Sequence, residues 1–94
     1  MLEKDIEKAV KRYAESKGVL IYKFAGVSAV KAAPECMFIA PNGKVFFIKF
    51  KQKIPNKAEF VQIEKLRSQN VPVYVVDRLE LGQWVIDQII ERSA

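Results

Sequence analysis

Two apolar runs, Cys36 to Ala40 and Lys44 to Lys51, flank Pro41-Asn42-Gly43, and this arrangement constrains the fold more than any other feature of the chain. Asn-Gly tolerates the positive φ of a two-residue tight turn, so the segment predicts an antiparallel hairpin. Counting outward from a turn at 42 and 43, Pro41 opposes Lys44 and Glu35 opposes Phe50, which places Glu35 beside Lys49 and Lys51. Strand alternation sends Phe46, Ile48 and Phe50 to one face, expected to be core, and Val45, Phe47, Lys49 and Lys51 to the other. That second face changes from apolar to cationic along its length.

The flanking segments supply what the ribbon packs against. Ile6, Ala9, Val10, Tyr13 and Ala14 recur at helical spacing, predicting an amphipathic helix over 2–17 stopped by Gly18. Val19 to Phe24 reads as a strand and Ala25 to Pro34 as a small-residue loop. After a polar connection over 52–57, Asn56 with Glu59 three positions on predicts a capping box opening a helix to about Ser68, closed by Asn70. Val71 to Val76 reads as a buried strand with Pro72 near its start. Leu81, Trp84, Val85 and Ile89 give a final helical stripe, with Trp84 expected in the core rather than as a stacking platform. The third and fourth strands are then joined by a helical crossover, which should be right-handed and make them parallel. The expected class is α/β (α+β), a mixed four-stranded sheet flanked by helices, and residues 1–94 are expected to form one domain.

Sixteen Lys and Arg against eleven Asp and Glu give +5 and a pI near 9.4, a balance that favours a polyanionic partner, with nucleic acid foremost. The chain has no histidine, which excludes Ser-His-Asp, Cys-His and histidine-based nuclease or zinc chemistry. Carboxylates and lysines are left to do any chemistry. The single cysteine, Cys36, forms no internal disulfide and suits a reducing cytosol. The N-terminus lacks an apolar targeting region, and no apolar run is long enough to span a membrane.

EKDIE at 3–7, Pro34-Glu35, PNGKVFFIKFK at 41–51, Gln62 and VPVYVVD at 71–77 together resemble the virus-type replication-repair nuclease family, VRR-NUC, of the PD-(D/E)xK superfamily. The likeness covers nearly the whole chain, and the αβββαβ order derived above matches that superfamily's core. It implies a cytoplasmic phage or bacterial endonuclease of branched DNA such as four-way junctions, working as a two-fold homodimer and using Mg²⁺ or Mn²⁺. By motif position the metal ligands are Glu3, Glu35 and the Phe50 carbonyl, Lys51 is the motif lysine that steers water, and Gln62 is the glutamine after the crossover. Lys44, Lys53 and Lys57 are candidate phosphate contacts; guarding an edge strand is their alternative role.

Two positions depart from the pattern. Glu35 stands where the family usually has Asp, a carboxylate longer by one methylene. Lys49 stands where the family has its second acid. A unit charge pair at 4 Å is worth about 1 kcal/mol in water and about 4 kcal/mol at an effective dielectric of 20, so an ammonium there opposes a divalent ion while removing a ligand. A weakened or inactive nuclease is therefore expected, with a non-catalytic DNA-binding module as the alternative. Without the resemblance, Glu3 and Glu7 read as solvated charges favoured at a helix start, and Glu35 with Lys49 or Lys51 as a cross-strand ion pair.

Overall fold

The computed structural model describes residues 2–23 and 36–91. The elements run α1 (Glu3–Ser16), β1 (Leu20–Lys23), β2 (Cys36–Ile39), β3 (Val45–Phe50), α2 (Lys57–Ser68), β4 (Val73–Val76) and α3 (Leu79–Glu91). This is the expected order. The expected loop over 25–34 and Glu35 lie outside the described residues.

The sheet order is β1-β2-β3-β4, with β1 and β3 antiparallel to β2, and β4 parallel to β3. Residues 46, 48 and 50 of β3 are buried against α1 and α3, as alternation requires. Phe38 lies directly opposite Phe46 across the β2–β3 ladder, their rings stacked at 5.2 Å, and Tyr74 meets Phe46 edge-on at 6.4 Å. α2 packs against β4, where Ile63 and Val73 are buried outside the main core. Leu20, Tyr22 and Val45 remain exposed.

The hairpin register differs from the expected one. Ala40, not Pro41, pairs with Lys44, and Cys36 opposes Ile48. The Gly43 N–H donates to the Ala40 carbonyl at 2.9 Å and Gly43 has φ +85°, whereas Asn42 does not adopt a positive φ. Pro41 favours the second position of a type I turn, so the loop takes three residues with glycine in the left-handed position, and pairing slips by one.

Both helix ends preceding strands close as Schellman motifs. Gly18 (φ +84°) follows α1, with the Val19 N–H on the Ala14 carbonyl at 3.0 Å; Asn70 (φ +62°) follows α2, with the Val71 N–H on the Leu66 carbonyl at 3.0 Å. The expected capping box is present at Asn56 and Glu59.

α3 also corrects an expectation. Its buried stripe is Gly82, Val85, Ile86 and Ile89, while Trp84 is 55% exposed. The helix is rotated because glycine, not tryptophan, faces α1: a Cβ at position 82 would sit 2.5 Å from Val10 Cγ2. Two helices approach this closely only where one lacks a side chain. The Tyr13 hydroxyl, donating to Asp87 at 2.6 Å, ties the same pair together.

Candidate functional site

Three elements meet at one end of the sheet: the start of α1, the start of β2 and the end of β3. Between them lies a notch of about 140 Å³ lined by Glu3, Glu7, Cys36, Ile48, Lys49 and Phe50. Glu3 enters because it opens α1 above the end of β3, where its carboxylate accepts the Gln52 N–H at 3.3 Å. Glu7, one turn on, points the same way, but its carboxylate is held by Lys11 at 2.7 Å and Lys23 at 3.9 Å. Phe50 buries its ring in the core, so its backbone is fixed at the notch.

Lys49 and Lys51 alternate with Phe50 onto the opposite sheet face, where both meet Glu59 of α2. Lys49 Nζ lies 3.3 Å from Glu59 Oε2 and Lys51 Nζ lies 2.6 Å from Oε1. Oε1 also accepts the Asn56 N–H at 3.1 Å. Glu59 is the buried charged residue of the described core. Its side chain reaches the strand because the capping box sets it in the first turn of α2, immediately above the end of β3. The Lys51 ammonium, the Asn56 N–H and then Lys49 outweigh the cost of burial and lower its carboxyl from the ordinary 4.5 to about 2. Glu59 is thus a site residue that the sequence identified only as a helix cap.

The other candidates are distributed unevenly. Gln62 is half-buried on α2 and does not line the notch. Lys53 stands exposed in the β3–α2 connection and lines a hollow with Lys51, and Lys57 stands exposed at the first residue of α2. Lys44 is exposed at the other end of β3, seven residues from Lys51, or roughly 23 Å at strand rise. Glu35 lies outside the described residues.

Mg²⁺ and Mn²⁺ take hard oxygen donors, mostly carboxylates. Among the described residues no three His, Cys, Asp or Glu side chains converge. Glu3 lines the notch, Glu7 is already neutralised by two lysines, and Lys49 offers an ammonium instead of a carboxylate. Among the described residues, this donor set does not by itself fit a divalent cation.

A solved structure of a VRR_NUC domain superposes with a TM-score of 0.72 at 26% sequence identity, over 98% of this chain and 97% of that one. No family model matches the sequence, and no curated protein matches it. Two small chains at this identity share a topology, a length and a placement of elements end to end, which agrees with the likeness carried by the motifs.

Proposed function

We propose, from the premise that this chain is a VRR-NUC-type nuclease domain, that it binds branched DNA at the notch end of its sheet and cleaves it weakly or not at all as it stands. The observation that supports this is Lys49: its ammonium, 3.3 Å from Glu59, occupies the motif position of an acid. Lys49 and Lys51 against one carboxylate leave a net positive charge at the end of β3, suited to a phosphate. Lys53 and Lys57 extend it along the connection, and Lys44 serves a separate phosphate further along the duplex. Glu3, Glu35 and the Phe50 carbonyl are the remaining oxygen donors of the motif, and Gln62 its glutamine. In this assignment Lys51 holds a phosphate or water in place, and Glu59, 2.6 Å from its ammonium, fixes its position.

Incubation of a labelled four-way junction with Mg²⁺ or Mn²⁺ tests the proposal. The chain as written should bind the junction with little cleavage, and Lys49→Glu should cleave at least tenfold faster, because a ligand is gained and a repelling charge lost. Efficient cleavage by the unaltered chain that Lys49→Glu does not raise would overturn the assignment of position 49. Binding without cleavage by both chains would instead indicate a purely DNA-binding module.

A further inference from the structure

The connection from β3 to α2 carries Lys51-Gln52-Lys53-Ile54-Pro55-Asn56, with Lys57 opening the helix, and Ile54 is 92% exposed, the most exposed large hydrophobic among the described residues. Neither folding nor the notch accounts for an isoleucine held in water between cations. The segment is fastened at both ends. Glu59 Oε1 takes the Lys51 ammonium at 2.6 Å and the Asn56 N–H at 3.1 Å, and Glu3 takes the Gln52 N–H at 3.3 Å. Pro55 fixes φ next to the tip. A hollow of about 290 Å³ runs behind it, with Lys51 and Lys53 and the paired Asp77 and Arg78, whose Nε donates to Asp77 at 3.0 Å, around an apolar lining of Ile54, Pro55 and Leu81.

We propose that Ile54 is a wedge that enters between base steps at the branch point of DNA, with Lys53 taking the adjacent phosphate. An apolar side chain on a pre-ordered, cation-flanked loop meets what unstacking requires: it replaces lost base stacking with apolar contact, and the cations hold the bent backbone. A branch point already has weakened stacking, so insertion is least costly there, and the loop becomes a determinant of preference for branched over linear DNA. This rests on the DNA-binding function proposed above.

Fluorescence anisotropy with a four-way junction and a linear duplex, each carrying 2-aminopurine at the central step, tests it. Ile54→Ala should lower junction affinity about tenfold more than duplex affinity and remove the 2-aminopurine signal of unstacking. Ile54→Phe, still a large apolar side chain, should retain both. An unchanged junction-to-duplex ratio in Ile54→Ala, with DNA still bound, overturns the wedge alone. Absence of binding to either DNA overturns the wedge and the DNA-binding function together. Ile54-dependent adsorption to phosphatidylserine vesicles without any junction effect overturns the wedge in favour of a membrane contact.

Discussion

Glu59 holds Lys49 of β3, Lys51 just past the end of that strand and one backbone N–H of its own helix start, and its acidity follows from those three partners. Folding depresses its carboxyl to about 2 from 4.5, so over that interval the unfolded chain binds a proton that the folded chain does not. Its contribution is therefore complete above about pH 4.5 and is lost as pH falls toward 2. Urea unfolding followed between pH 6 and 2.5 should show this decline, and Glu59→Gln should flatten it while costing about 2 kcal/mol at pH 7, since two partly exposed ammoniums lose their carboxylate. An equally steep decline in Glu59→Gln would assign the acid sensitivity elsewhere. Asn56-x-x-Glu59 made the cap legible in the sequence. The tie to Lys49 and Lys51 was not legible, because it depends on how α2 crosses the end of β3 and not on spacing along the chain.

The α1–α3 crossing depends on what is missing at position 82. Gly82→Ala would press a methyl onto Val10, and overpacking of this kind typically costs about 1–3 kcal/mol. Val10→Ala creates room at the same point, so the double variant should recover part of the loss, which a double-mutant cycle in thermal unfolding measures. Strictly additive losses would mean that α3 does not approach α1 at that glycine. The element order was legible because caps, turns and hydrophobic spacing agree along the chain. Two details were not. The stripe of α3 admits more than one phase, and only the contact with Val10 selects the phase that turns Trp84 outward. Asn-Gly suits both two- and three-residue loops, and Pro41 decides for the longer one by favouring the turn that begins at Ala40.

At the scale of the molecule, the two-fold homodimer that the family likeness implies would join chains that each carry +5. Cutting two strands symmetrically needs two sites, which a C2 pair supplies, but like-charged copies repel and salt screens that repulsion. Sedimentation velocity should give twice the 10.7 kDa chain mass, with the pair strengthened between 50 and 300 mM salt, whereas a single-chain mass throughout would remove dimerisation from the function. The cationic end of β3 was legible in the sequence, and the exposed apolar tip beside it was not, because Ile54 reads in sequence as one more residue of a polar connection. Lys49 also has a consequence in heredity. Every lysine codon becomes a glutamate codon by a single purine transition, so a lineage carrying this chain repeatedly samples the acid at that position. Glu59 would then confront a second anion instead of an ammonium, and variants that keep the acid should accumulate their compensating changes there.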